Sequence, residues 1–174
     1  MEYPKRKPTR LKDYDYSKAG VYFITICTKD REHNLSEIIC VGSDASVRPT
    51  VKLTKIGQIV DECWDNINEL YDDVKTGKYV IMPDHFHGII TIGSKKDTGG
   101  QGRPPLHKII QGFKSITTRR CFEYGHKQLW QSSFYDHIIR DEEDYHARWH
   151  YIENNPVKWI NAHVGEKIHT VAND

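Results

Sequence analysis

One apolar stripe limits the folds open to this chain. Ile56, Ile59, Val60, Cys63, Trp64, Ile67 and Leu70 recur at steps of three and four residues, the spacing of one helix face. A stripe this regular must be covered by another element, because no helix is stable in water with one side bare. The chain around it supplies β-type partners. "VYFITICT" at 21–28 is β-branched and aromatic, "GKYVIMP" at 77–83 and "HFHGIITIG" at 85–93 read as two strands, and Pro83 with Asp84 suits a turn between them. Residues 37–53 read as a hairpin around "GSDASVRP". Leu106, Ile109, Ile110, Phe113 and Ile116 mark a second helix, "SSFYDHIIR" at 132–140 a last strand, and "DEEDYHARWHYIEN" at 141–154 a third helix with Asp141 as its N-cap. Pro156 disfavours helix at Asn155 and starts a further short helix, "PVKWINAHV". Helices alternating with hairpin-connected strands predict an α+β fold, an antiparallel sheet with helices on one face. With 174 residues and no repeat, one domain over 1–174 is expected, carrying a basic N-terminal arm at 1–19 and a flexible Gly- and Lys-rich loop at 94–105.

Composition excludes some classes. No apolar run approaches the length of a membrane span, and the first residues lack the apolar core of a signal peptide, so a cytoplasmic, nucleoid-associated protein is expected. Cys27, Cys40, Cys63 and Cys121 form no C-x-x-C pair, which argues against a cysteine zinc site. The net charge is only +1, but it is segregated: "KRKPTRLK" at 5–12 holds five basic groups and no acid, and no acid occurs from Thr98 to Phe122. Such segregation suits a polyanion, and it also describes ordinary solvated faces.

The candidate chemistry lies in "MPDHFHGII" at 82–90. In a strand, residues i and i+2 share a face, so His85 and His87 project together while Phe86 turns to the helices. Two adjacent neutral imidazoles form a metal clamp, although an isolated H-x-H equally describes two half-exposed strand histidines. A third ligand is offered by "YIENNP" at 151–156. On a helix Tyr151 and Asn155 share a face. If that face covers the histidines, two imidazoles and one amide oxygen make a mixed N/O site with open positions, suited to Mg²⁺ or Mn²⁺. A phenol beside such a cation becomes a nucleophile for a phosphodiester. On these grounds alone Tyr124, Tyr135 and Tyr145 remain alternatives to Tyr151.

"MPDHFHGII", "GFKS", "WQSSFYDHIIRDEEDY" and "YIENNPVKW", with "LKDYDYSKAGVYFITICTKDRE" near the start, resemble the transposases associated with repetitive extragenic palindromes. These are His-hydrophobe-His single-strand nucleases with one catalytic tyrosine, within the IS200-like superfamily. The resemblance spans about residues 10 to 160. It implies a ferredoxin-like, RNA-recognition-like antiparallel sheet with the tyrosine helix over the metal-site face. It implies Tyr151 as the nucleophile that joins the 5′ phosphate of cleaved DNA, with His85, His87 and Asn155 as ligands of Mg²⁺ or Mn²⁺. The implied partner is single-stranded or hairpin DNA, bound by a monomer or a homodimer. Lys5, Arg6, Lys7 and Arg10 in the arm, and Lys114, Arg119 and Arg120 on the second helix, would hold phosphates, with Trp130 and Phe134 stacking on bases or packing in the core. Two other readings stay open: a retired transposase that only binds structured nucleic acid, and a metallohydrolase that uses water in place of Tyr151.

Overall fold

The computed structural model describes residues 18–41, 49–93, 105–163 and 170–171. Lys5, Arg6, Lys7 and Arg10 therefore lie outside the described residues, as does the loop at 94–104. Strands β1 (Gly20–Cys27), β4 (Val74–Ile81), β5 (His85–Ile92) and β6 (Tyr135–Ile139) form one sheet in the order β4-β5-β1-β6, every neighbour antiparallel. Helix α1 (Lys55–Asp65) lies between β1 and β4 in the chain, and α3 (Leu106–Arg120) lies between β5 and β6. Two β-α-β units with this strand order make the ferredoxin-like arrangement. Strands β2 (Ser36–Val41), β3 (Pro49–Leu53) and β7 (Thr170–Val171) make a smaller sheet, with β2 antiparallel to β3 and parallel to β7.

The main sheet is covered on both faces, and the alternation of its strands assigns each side chain to one of them. Tyr22, Ile24 and Ile26 of β1 and Phe86, Ile90 and Ile92 of β5 face α1 and α3, where they join Ile56, Val60, Trp64, Ile110 and Phe113 in the larger core. Phe86 is fully buried, its ring centroid 4.7 Å from that of Trp64 and 5.7 Å from that of Phe113. Gly88 follows from this packing: a Cβ there would stand 2.8 Å from the Phe86 ring and 2.9 Å from Trp64. The opposite face carries a smaller cluster of Phe23, Ile89, Ile139 and Ile152. Ile152 belongs to α4 (Glu142–Glu153), and it is the one buried residue of that helix. Asp141 caps α4, its side chain accepting from the Asp144 N–H at 2.8 Å. The helices thus occupy one face of the sheet, with the tyrosine-bearing helix over the other.

Three local expectations need correction. The stripe at 56–70 breaks at Asn66 into α1 and a single turn, α2 (Ile67–Leu70). The break keeps Ile67 buried but leaves Leu70 64% exposed, so Leu70 is not core. The last strand is shorter than 132–140, because the Lys114 ammonium takes the carbonyls of Gln131 (2.6 Å) and Ser132 (3.0 Å) out of reach of a ladder partner. Helix α5 (Asn155–Ala162) begins at Asn155 itself, one residue before the proline. The pre-proline restriction is a preference, and it yields here to burial of the Asn155 side chain beneath the start of the helix. Among the described residues no helix is long and apolar enough to cross a membrane.

Candidate metal and nucleophile site

The open end of β5 builds the site. His85 is the first residue of the strand and His87 the third, so both rings leave the face opposite Phe86, with centroids 4.6 Å apart. The β1–β5 register sets Thr25 opposite His87, and the Thr25 hydroxyl meets His87 Nδ1 at 2.8 Å. Phe23 stacks on the His87 ring at 5.3 Å. His87 is only 4% exposed. Burial, then the neighbouring His85, pushes its pKa down to about 3, so it stands neutral with a lone pair to give. His85 is fixed on its other side: Asp84 Oδ1 lies 2.5 Å from His85 Nδ1. Both rings are thereby engaged at Nδ1, which leaves both Nε2 atoms for another partner.

Helix α4 crosses this face, seated by Ile152, and sets Tyr151 edge-on to His87 (5.2 Å) and to Phe23 (5.8 Å). The phenol stays about a third exposed, open to an incoming molecule. The chain turns at Asn154 into α5, which brings Asn155 beneath the rings with its Oδ1 3.3 Å from His85 Nε2. Lys158, one turn further, holds its ammonium 4.5 Å from the Tyr151 ring centroid. His85, His87, Tyr151 and Asn155 are thus gathered from two segments about 65 residues apart, in a single chain.

The donor set fits a divalent cation. In the neutral ring, a carboxylate facing Nδ1 would keep the proton of His85 there, and its Nε2 would present a lone pair to Asn155 Oδ1, itself an acceptor. Two acceptors facing each other repel, and a cation between them reverses the sign. Among the described residues no group of three His, Cys, Asp or Glu side chains could hold a metal.

No family model matches the chain. An uncharacterized protein of Haemophilus influenzae is 35% identical over 173 residues, covering 88% of this chain and 89% of that one. The REP-associated tyrosine transposase of Escherichia coli is 24% identical over 83% of this chain and 72% of its own length. Among solved structures, a REP-associated tyrosine transposase bound to a REP hairpin matches 95% of this chain and 92% of its own, with a TM-score of 0.60 at 21% identity. These likenesses support the IS200-like tyrosine transposase family.

The basic residues read from the sequence part company. Lys114 and Arg119 line a groove of about 1080 Å³ between α3 and residues 127–134, together with Lys127, Phe122 and Phe134. Among the described residues no acidic side chain lines it. Phe122 is 61% exposed. Trp130 is instead buried, its indole N–H donating to the Thr117 hydroxyl at 2.7 Å, so it packs in the core. Lys114 fastens the 131–132 backbone, and burial holds its pKa below the usual lysine value. Arg120 turns away to α1, where it pairs with Glu62 at 2.5 Å and donates to Cys63 Sγ at 3.4 Å. Thr25, Asp84, Arg31 and Lys158 were not read from the sequence as site residues. Asp84 was the one with a signal, since a carboxylate directly before H-x-H can reach the first imidazole.

Proposed function

We propose that this transposase is a divalent-metal-dependent strand transferase that cleaves and rejoins single-stranded DNA beside a hairpin, with Tyr151 as nucleophile. The observation that carries the reading is the convergence of Tyr151, two imidazoles anchored at Nδ1 and the Asn155 oxygen at one end of β5. His85, His87 and Asn155 would hold Mg²⁺ or Mn²⁺. The cation, when bound, would draw charge from a non-bridging phosphate oxygen. The Tyr151 oxygen forms a bond to phosphorus as the bond from phosphorus to O3′ breaks. The phenol proton passes to solvent, and the leaving oxygen takes one up as a 3′ hydroxyl. The phosphotyrosine keeps the bond energy, so attack by another 3′ hydroxyl rejoins the strand and releases Tyr151. Lys158 stands where a phosphate approaching the phenol meets a positive charge. The groove on α3, lined by Lys114, Arg119 and Lys127, offers a sequence-independent hold on the DNA backbone. Lys5, Arg6, Lys7 and Arg10 would extend that hold from the arm, and Arg120 would do so only after leaving Glu62. A hairpin substrate is suggested by the relative solved on one. Because the four chemical groups come from one chain, a monomer suffices for cleavage.

The test is Tyr151→Phe with a single-stranded hairpin substrate and Mn²⁺. Wild type forms a covalent protein–DNA adduct that survives denaturation, and mass spectrometry finds the DNA on Tyr151. The variant binds the hairpin and forms no adduct. Adducts from the variant would refute the assignment. Hydrolysis that persists without adducts would point to water as nucleophile, and binding without cleavage by wild type would point to a retired DNA-binding protein.

A further inference from the structure

Among the described residues, the non-glycine residues with left-handed backbone are Asp30 (φ 53°) and Arg31 (φ 60°). Two such residues in succession are disfavoured for L side chains, and they persist only where surrounding contacts impose them. Here the contacts are visible. The Lys29 N–H donates to the Leu129 carbonyl (2.9 Å) and the Glu32 N–H to the Lys29 carbonyl (3.1 Å). The Thr28 N–H and hydroxyl both donate to the Asp84 carbonyl, at 2.9 and 3.0 Å. The turn at 28–32 is therefore fastened to the backbone of the residue just before His85. Its forced geometry swings the Arg31 guanidinium onto the Asp84 side chain, with Nε 3.1 Å from Oδ2. A second guanidinium N–H donates to Cys27 Sγ at 2.9 Å and fixes the plane of the group. Asp84 is 4% exposed, and its two oxygens are divided: Oδ2 to Arg31, Oδ1 to His85 Nδ1.

We propose that Asp84 and Arg31 are positioning residues of the candidate metal site: Asp84 fixes the tautomer and orientation of His85, and Arg31 fixes Asp84. This rests on the metal reading given above. A lone carboxylate could rotate and share its oxygens with solvent. The Arg31 guanidinium removes that freedom, because it holds one oxygen and leaves the other aimed at the imidazole. The consequence is a His85 Nε2 lone pair aimed at Asn155 Oδ1 before any cation arrives. His87 is held instead by β1, through the Thr25 hydroxyl and a backbone hydrogen bond with Ile24, so the turn at 28–32 stiffens the ligand at the solvent-facing end of the pair. Partners of this kind carry a large share of metal affinity, roughly 10- to 100-fold on removal.

The experiment uses the full chain, Mn²⁺ alone and no DNA. Mn²⁺ affinity is read by calorimetry, and the ring nitrogens of His85 by long-range ¹H–¹⁵N spectra of the metal-free protein at mildly alkaline pH. Wild type is expected to show His85 protonated at Nδ1. Asp84→Ala is expected to lose that single tautomer and to weaken Mn²⁺ binding roughly 10- to 100-fold. Asp84→Asn, whose amide oxygen still accepts from Nδ1, restores the tautomer and most of the affinity. Arg31→Ala, a half-exposed site that the fold tolerates, weakens Mn²⁺ binding several-fold, and Arg31→Lys does not restore it, because an ammonium cannot hold Asp84 and Cys27 together. A His85 spectrum and Mn²⁺ affinity unchanged in both Asp84→Ala and Arg31→Ala would overturn the proposal while leaving the metal site intact. Wild type that binds no Mn²⁺, yet loses the His85 tautomer in Asp84→Ala, would uphold the positioning role and overturn the metal reading instead.

Discussion

Truncation of Ile152 to alanine separates the function of the protein from its stability. The larger core, between the sheet and helices α1 and α3, contains Trp64, Phe86 and Phe113 and does not involve α4. Helix α4 is seated on the other face by one fully buried residue, Ile152, against Phe23, Ile89 and Ile139. Ile152→Ala removes three buried carbons, worth about 0.8 kcal/mol each, so about 2.4 kcal/mol in transfer alone. With the cavity left among Phe23, Ile89 and Ile139 the loss is about 3 kcal/mol, inside the usual range for such truncations. Because this energy belongs to the docking of one helix, the docked population falls by roughly 10²-fold relative to the undocked one. Tyr151 and Asn155 leave the histidines together. The expected result is fast amide exchange along α4 with slow exchange retained in β1 and β5, a nearly unchanged global transition, and a loss of adduct formation. Phe86→Ala is the control. It costs about 3–5 kcal/mol and lowers the global transition. If Ile152→Ala speeds exchange equally in α4 and β5, the helix is not a separately docked unit and the reasoning fails.

The other predictions concern charge and backbone. His87 has a folded pKa of about 3 against an ordinary 6.5, because burial penalises its cation. The unfolded chain binds the extra proton between those values, so stability is full above about pH 6.5 and falls as pH drops toward about 3. The loss reaches about 2 kcal/mol by about pH 5, at about 1.4 kcal/mol per unit; denaturant titrations should show a shallower acid slope in His87→Gln, and an unchanged slope refutes the assignment. Lys158→Met keeps the fold, since the ammonium is exposed, and slows single-turnover adduct formation by about tenfold with little change in hairpin affinity; an unchanged rate removes Lys158 from the site. Asp30→Gly relieves a left-handed residue at no cost in side-chain contacts of the site and raises stability by about 0.5–1 kcal/mol, read from denaturant midpoints with Mn²⁺ affinity retained; a loss of stability would mean that the Asp30 side chain holds the turn.

The sequence reveals those parts of this protein that depend on short periods. Period two puts His85 and His87 on one face and Phe86 on the other, and steps of three and four find α1 and α3. Spacing of four sets Tyr151 and Asn155 toward a common partner, although the helix between them turns over at Asn154. Parts that depend on strand register or on a turn without signal residues are hidden. Thr25 meets His87 only because β1 and β5 pair Ile24 with Gly88 and Thr25 with His87, across 62 positions. The turn at 28–32 contains no glycine or asparagine to announce left-handed backbone, so Arg31 reads as one more surface charge in "TKDRE". Asp84 reads as turn chemistry after Pro83, and it does lie in the turn that the Met82 N–H closes on the His85 carbonyl, but its own carbonyl accepts from Thr28 while its carboxylate serves His85. Strand β7 lies near the end of a polar stretch, "GEKIHTVAND", whose pairing with β2 no local pattern announces.

The two faces of the sheet are thus built to different standards. The face under α1 and α3 is sealed by aromatic packing and carries no chemistry. The other face has a smaller buried cluster of Phe23, Ile89, Ile139 and Ile152, flanked by Val21, Val80 and Tyr145, and beside it carries imidazoles, a phenol and an amide. Such a face cannot fix its polar groups by packing alone, because each lies against a neighbour that is itself polar. It fixes both imidazoles by anchoring each from behind. Thr25 holds His87, Asp84 holds His85, Arg31 holds Asp84, and the strained turn holds Arg31. The stability forgone in that turn is small beside the larger core, which is why the fold can carry it. Among the described residues Tyr151 is held by ring contacts with Phe23 and His87 and by no hydrogen-bonded anchor of this kind, and a nucleophile that must take up and release a DNA strand needs that freedom.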